Sequence, residues 1–152
     1  GPRGGDEINV IRERDSIREE PLLTRNYGWP LVSNGINYNG TSFTNLTSME
    51  GTESPLYFWT PSIAPSGLVM LTSDIYDEWK GNLFIGSLRF RYLERVELIG
   101  NYVYKREKLL DRVGRVREVV QGPDGYLYVG IENKGVFKII PSKVYIENDI
   151  SE

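Results

Sequence analysis

The sequence predicts an all-β fold of the β-propeller class, and three observations favour it. Short segments rich in β-branched and aromatic residues alternate with Gly, Asn and Pro. The segment Gly81–Gly86 recurs 44 residues later as Gly125–Gly130. This spacing is close to the roughly 40–50 residues of a four-stranded propeller blade. The 152 residues therefore correspond to about three such blades.

The individual elements follow from composition along the chain. Four further segments have strand composition and are bounded by turn-forming residues: Arg95–Leu98, Tyr102–Lys105, Val116–Val120 and Val136–Ile140. Pro123–Gly125 predicts a tight turn at the start of the second repeat copy, because proline presets φ and glycine accepts positive φ. Two segments, Arg12–Arg25 and Ser73–Lys80, have a helical pattern instead.

The composition excludes several classes of function. A net charge of −3 and a pI near 5.2 argue against a nucleic-acid partner. The chain has no cysteine, which excludes disulfides and thiolate metal sites, and no histidine, which removes the commonest general base. No apolar run approaches the roughly 18 residues of a membrane span. The start at Gly1, without Met or a signal peptide, favours a fragment or a processed product.

Two arginines near the end of the chain are the main candidates for ligand binding. Arg115 and Arg117 stand two residues apart on a predicted strand, so their side chains are expected on one face. Two guanidinium forks on one face form a receptor for a planar, polyanionic ligand. The alternative is a solvated face on which both arginines pair with acidic neighbours such as Glu118 or Asp111.

Several short motifs carry a family resemblance when they are taken together and in chain order. These are Gly1–Asn9, Asn26–Pro30, Gly51–Pro55, Pro61–Gly67, Leu83–Leu88, and Gly114–Glu118 with Gly122–Tyr128. They closely resemble the C-terminal half of the soluble pyrroloquinoline-quinone (PQQ)-dependent aldose sugar dehydrogenases, of the glucose/sorbosone dehydrogenase family. The resemblance implies a six-bladed propeller, of which residues 1–152 form about three blades as a single domain.

The resemblance implies PQQ as cofactor, which carries three carboxylates and an ortho-quinone. Arg115 matches the arginine that holds the cofactor. Arg117 matches the catalytic arginine beside the reactive quinone carbonyl, where negative charge develops during hydride transfer. Arg89 stands where many relatives carry lysine, so the charge is kept but a planar fork replaces a compact ammonium.

Calcium is the second implied cofactor. The resemblance implies that the carbonyls of Gly1 and Pro2 ligate a Ca²⁺ that bridges to the quinone. It also suggests a structural Ca²⁺ held by Glu7, the carbonyl of Tyr27, and Glu53, since calcium accepts carboxylate and carbonyl oxygens. The alternative is that Glu7 is an ordinary loop acid and that Tyr27 belongs to an aromatic plug in the core.

The implied activity is oxidation of an aldose sugar at its anomeric carbon to a lactone, in a periplasmic or secreted enzyme. The family takes its general base, a histidine, from an earlier blade, so this chain alone is not expected to turn over sugar. The aldose and the electron acceptor stay open. The alternative function is a non-catalytic propeller module that binds a carbohydrate or a protein.

Two further expectations concern the surface. The charged segment 12–25 is longer than the corresponding link in relatives, and we expect a solvated excursion there, with a lid or partner contact as the alternative. A half-propeller leaves strand edges uncovered, so the chain is expected to associate with a copy of itself or with the missing N-terminal half. Trp59, Phe84 and Tyr128 would then lie at surfaces meant for neighbouring blades.

Overall fold

The computed structural model describes residues 3–11 and 25–141, and these residues form nine β-strands and no helix. All strand pairs within the sheets are antiparallel, which confirms the all-β prediction. The strands are β1 (Asp6–Ile8), β2 (Tyr57–Trp59), β3 (Pro65–Met70), β4 (Leu83–Ser87), β5 (Leu93–Ile99), β6 (Tyr102–Leu109), β7 (Val116–Gln121), β8 (Leu127–Ile131) and β9 (Gly135–Lys138).

The described residues group into two compact units, one within Gly1–Ile63 and one within Ala64–Glu152. In the first unit, β1 pairs with β2, and Glu7 lies opposite Phe58. The carboxylate of Asp6 accepts a hydrogen bond from the backbone N–H of Ile63 at 2.9 Å, which ties β1 to the chain that leaves β2. The rest of this unit consists mostly of turns and loops.

The second unit contains two sheets whose strands follow chain order. β3 to β6 form a four-stranded sheet, the blade unit of a β-propeller, and β7 to β9 form a three-stranded sheet. The repeated segments Gly81–Gly86 and Gly125–Gly130 contain all but the last residue of β4 and β8, each the second strand of its sheet. The repeat therefore marks equivalent positions in successive sheets, as the sequence predicts.

The core of the second unit lies between these two sheets. Phe84 and Leu93 pack from the four-stranded sheet, and Val119, Leu127 and Val129 pack from the three-stranded sheet. Phe84 lies where the four-stranded sheet meets the next sheet, as expected for a surface between blades, and the next sheet buries it completely instead of leaving it uncovered.

The other two aromatic side chains expected at surfaces meant for neighbouring blades are also at least partly buried. Trp59, in the first unit, is buried as well, and Tyr128 is half-buried. Trp59 packs edge-on against Tyr57 of the same unit, with 5.1 Å between the ring centres.

The segment Ser73–Lys80, predicted to be helical, forms turns and bends instead. Its Tyr76 side chain enters the core, stacks on Trp79 at 5.2 Å, donates a hydrogen bond to the carbonyl of Ile139 and accepts one from the N–H of Leu127, each at 2.7 Å. These tertiary contacts override a weak local helical preference. Of the predicted insertion 12–25, only Arg25 is among the described residues.

Close backbone approach brings β3 and β4 onto the start of β7. A Cβ atom at Gly67 would lie 2.0 Å from the Glu118 carboxylate and 2.5 Å from the backbone nitrogen of Val119. A Cβ atom at Gly86 would lie 2.8 Å from a methyl group of Val116. The absence of side chains at both glycines therefore allows the two sheets to meet there.

Replacing Tyr76 by phenylalanine is expected to destabilise the fold by about 1–3 kcal/mol. The change leaves the buried N–H of Leu127 and the carbonyl of Ile139 without the hydroxyl that satisfies them. Urea unfolding measures the loss. Tyr104→Phe, at a side chain that is 67% exposed, is the control and should stay within about 0.5 kcal/mol of the parent chain. Equal stability of the Tyr76 variant and the parent would contradict this account.

Gly67→Ala should lower the free energy of unfolding by about 1–3 kcal/mol, because its methyl group meets the backbone of β7. Gly130→Ala is the matched control, since the nearest atom to its added methyl group is 3.7 Å away. Urea unfolding of both variants gives the comparison. If both variants lost the same free energy of unfolding, the close approach of Gly67 to β7 would not be what makes its substitution costly.

Candidate functional site

Arg115 and Arg117 flank Val116 at the start of β7. Val116 is completely buried, and its carbonyl accepts a hydrogen bond from the Ser66 hydroxyl at 2.7 Å. The two arginine side chains are 44% and 48% exposed. The buried valine thus fixes the backbone while both guanidinium groups face solvent, as strand alternation predicts.

A β-bulge lies at Arg117. Val116 pairs with Ile131 and Glu118 pairs with Gly130, so Arg117 is an extra residue without an opposite partner on β8. Bulges bend a strand and re-aim side chains, and they are frequent next to active sites. The direction of the Arg117 side chain therefore depends on the bulge as well as on the two-residue spacing.

Both arginines meet at Glu132, the residue that follows β8. Arg117 Nη2 forms a short ion-paired hydrogen bond with Glu132 Oε1, and Arg115 Nε lies 3.2 Å from Oε2. The Glu132 backbone N–H also donates to the carbonyl of Arg115 at 2.9 Å. One carboxylate therefore contacts both guanidinium groups and holds the backbone next to them.

The acidic neighbours suggested by the sequence are not the partners of this pair. The carboxylate of Glu118 accepts from the N–H of Val119, and that of Asp111 lies 3.8 Å from Arg112. Sequence reasoning missed Glu132 because the residue is distant along the chain. The signal that could have found it is the β7–β8 hairpin, which returns the chain to the start of β7 after the second repeat copy.

The charges around Glu132 are mainly positive. The hydrogen bond from Arg117 is the largest cause that lowers the pKa of Glu132, and the nearby charges of Arg115 and Arg91 lower it further. Partial desolvation acts in the opposite direction and does not reverse the shift. The carboxylate therefore stays ionised, and the cluster keeps excess positive charge that an anionic ligand can meet.

Arg89, the third predicted cofactor residue, lies in the turn between β4 and β5 and is exposed. Its guanidinium carbon is 5.1 Å from the centre of the Phe90 ring. Arg91, two residues later in the same turn, lowers the pKa of Glu132 through its charge. The structure thus brings Arg115 and Arg117 together at Glu132, and the charge of Arg91 helps to keep that carboxylate ionised.

The predicted calcium residues lie in the first unit. Glu7 and Tyr27 line one recess of about 340 Å³, with Asp6, Trp29 and Ser33 among the other lining residues. Tyr27 is half-buried, whereas Trp29 is 59% exposed and stacks on Phe43, so the segment is only partly a core plug. A carboxylate and backbone carbonyls are the oxygen donors that calcium takes.

Glu53, another predicted metal ligand, is not among the residues that line this recess. The Glu53 carboxylate pairs with Arg25 at 2.5 Å, and its backbone N–H donates to the carbonyl of Asn26, the neighbour of Tyr27. Gly1 and Pro2 lie outside the described residues. Within residues 3–11 and 25–141, no three acidic side chains form a group that could hold a metal ion.

The hydrogen bond from Arg117 should be visible in the titration of Glu132. Arg117→Ala is expected to raise the pKa of the Glu132 carboxyl towards its ordinary value, and Arg115→Ala to raise it less. Because folding lowers this pKa, the resulting stabilisation is present above the ordinary glutamate pKa and is lost as pH falls through the lowered pKa. Carboxyl ¹³C NMR measures the midpoint, and Arg112→Ala is the control. An unmoved midpoint in Arg117→Ala would refute the contact.

The part of the chain that the structure describes holds no helix long and apolar enough to cross a membrane.

Comparison with known proteins identifies the family of this chain. The family model described as Glucose / Sorbosone dehydrogenase matches residues 1–139. The aldose sugar dehydrogenase YliI of Escherichia coli (strain K12) is 41% identical over 132 residues, which are 85% of this chain and 33% of YliI.

Solved structures agree with this match. A crystal structure of a glucose dehydrogenase is similar with a TM-score of 0.79 at 40% identity, covering 93% of this chain and 40% of that one. The soluble aldose sugar dehydrogenase of Escherichia coli, in the apo-form, has a TM-score of 0.75 at 37% identity, covering 91% of this chain and 38% of that one.

The predicted fold class, a partial β-propeller, is confirmed. The chain spans about a third of the length of the curated relatives it matches, and it belongs to the glucose/sorbosone dehydrogenase family.

Proposed function

We propose that this chain is the cofactor-binding part of a PQQ-dependent dehydrogenase that oxidises an aldose sugar at its anomeric carbon to a lactone. Family membership supports a sugar dehydrogenase. The observation that carries the cofactor assignment is the convergence of Arg115 and Arg117 on one point, with both guanidinium groups open to solvent. Two convergent forks suit a planar ligand with several carboxylates.

The two arginines have different roles in this proposal. PQQ, when bound, supplies the acceptor for the hydride that leaves the sugar. Arg115 would hold a carboxylate of the cofactor, a contact already made before reaction. Arg117, aimed by the bulge, would stabilise negative charge that develops on a quinone oxygen in the transition state. Arg89 would add a third cation.

Calcium belongs to the same proposal. A structural Ca²⁺ would be held by Glu7, the carbonyl of Tyr27, and Glu53; the recess lined by Glu7 and Tyr27 supports it, and Glu53 would have to exchange its ion pair with Arg25 for the metal. The carbonyls of Gly1 and Pro2 would hold the Ca²⁺ at the cofactor. We also propose a periplasmic or secreted location, and association of the chain with a copy of itself or with a missing N-terminal half stays a prediction.

The general base does not come from this chain in the proposal, since the sequence contains no histidine. The isolated chain is therefore expected to bind the cofactor without turning over sugar.

The second candidate function is a non-catalytic module that binds a carbohydrate or a protein. It is favoured by the exposed Trp29 ring stacked on Phe43, since exposed aromatic faces pack against sugars. Sugar binding that survives loss of both arginines but not Trp29→Ala would support this alternative.

The test separates cofactor binding from turnover. In the complete enzyme that contains this chain, Arg117→Ala should lower kcat by roughly 100-fold with a smaller change in the Kd for PQQ. Arg115→Ala should raise the Kd for PQQ by about 10- to 100-fold, with a smaller loss of kcat at saturating PQQ. Spectroscopic titration gives Kd, and a dye-reduction assay gives kcat.

Arg112→Ala is the control, because that side chain is 90% exposed and its Nε lies 3.8 Å from the Asp111 carboxylate. It should change neither quantity. Equal losses of binding and turnover in both test variants would contradict the division of roles. Unchanged PQQ binding in a variant without both arginines would contradict the proposed cofactor site.

A further inference from the structure

We propose that Glu132 is a positioning residue that holds Arg115 and Arg117 in a convergent arrangement, so that their outer N–H groups are presented to the anionic cofactor. This inference rests on the proposed function and extends it to a residue that contacts the arginines and not the reacting atoms. Glu132 is not among the residues that the family resemblance points to. Its role follows from its place in the structure.

The contacts divide one carboxylate between two cations. Each oxygen of Glu132 meets a different guanidinium group, through the Nε of Arg115 and one terminal nitrogen of Arg117. An arginine has five N–H donors, so both groups retain donors for a ligand. The Glu132 side chain is 29% exposed, less than either arginine. The carboxylate is therefore less exposed than the two arginines, which keep solvent-exposed surface for a ligand.

The backbone of Glu132 is itself fixed. Its N–H donates to the carbonyl of Arg115, and Glu132 lies within a turn that is closed by the N–H of Lys134, which donates to the carbonyl of Ile131 at 3.0 Å. Asn133 at the centre of this turn has a φ of 59°. Ile131, just before Glu132, pairs with Val116 between the two arginines. Glu132 is thus attached to the same piece of β7 as the side chains that it contacts.

A physical reason for such a residue comes from charge and entropy. Two neighbouring guanidinium groups repel each other, and long arginine side chains lose rotamer freedom when they are held in one geometry. A carboxylate between them reduces the repulsion and restricts both side chains before the ligand arrives. The cluster of Arg115, Arg117 and Glu132 keeps a net positive charge, and Arg91 adds to it.

The opposite role has a clear signature. If Glu132 competed with the ligand for the arginines, its removal would free their donors and tighten binding. If Glu132 positions the arginines, its removal weakens ligand binding. This effect then disappears in a chain that lacks both arginines.

The experiment titrates PQQ into the full chain and follows tryptophan fluorescence. Glu132→Gln keeps the shape and loses the charge, and it should raise Kd by about 10-fold. Glu132→Asp keeps the charge on a shorter side chain, and its Kd for PQQ should lie between those of the parent and Glu132→Gln. Asp111→Asn, which removes an equal charge four residues before Arg115, should bind as the parent does. Thermal unfolding confirms that each variant is folded.

A coupling measurement separates positioning from general effects. In a chain that also carries Arg115→Ala and Arg117→Ala, Glu132→Gln should cause no further loss of PQQ affinity. A loss that persists without the arginines, or parent-like or tighter binding by Glu132→Gln alone, would overturn the proposal. Equal PQQ affinity of the parent and the chain without both arginines would overturn the proposed cofactor site instead.

A ligand-free measurement tests the positioning even if PQQ does not bind. Arginine side-chain ¹⁵N spectra should show the Nε–H of Arg115 as a slowly exchanging, shifted signal in the parent. In Glu132→Gln the signal should move to the position of solvent-exposed arginines. A signal that is the same in both chains would show that Glu132 does not hold the pair, whatever the outcome of the titration.

Discussion

The close packing of β3 and β4 against the start of β7 is the constraint on which the candidate site depends. Gly67 and Gly86 leave room for Val116 and Val119 to enter the core between the two sheets. Because Val116 is fixed in this way, the residues on either side of it must face outwards. The position of the arginine pair is therefore a consequence of packing by residues that never touch a ligand.

The same region shows how the charge balance of a binding site depends on a short backbone turn. One carboxylate between two guanidinium groups keeps them close without cancelling their charge. The turn that carries it is closed by backbone hydrogen bonds, so the carboxylate returns to the same place whenever the hairpin forms. Fold and electrostatics are linked here through the β7–β8 hairpin.

Sequence reasoning reached the fold class and the arginine pair because both have local signals. The repeat marked β4 and β8, and the composition of the strand segments placed β5, β6, β7 and β9 within a few residues. The contacts that it missed depend on tertiary structure. Glu132 is brought to Arg117 by a hairpin with a bulge, and Tyr76 holds a non-helical segment against the core through hydrogen bonds to Leu127 and Ile139. Neither contact produces a repeating pattern in the sequence from which it could be predicted.

The bulge at Arg117 has a consequence for how this surface can change. Arg117 has no partner in the β7–β8 pairing, so its side chain can be exchanged without altering the register of the sheet. Val116, in contrast, cannot change without disturbing the core. The strand therefore places a position whose side chain can change without a shift of register beside one that preserves the packing. A substitution at residue 117 would alter the charge that this surface offers to an anion and would release Glu132, while the strand pairing of the hairpin stays in place.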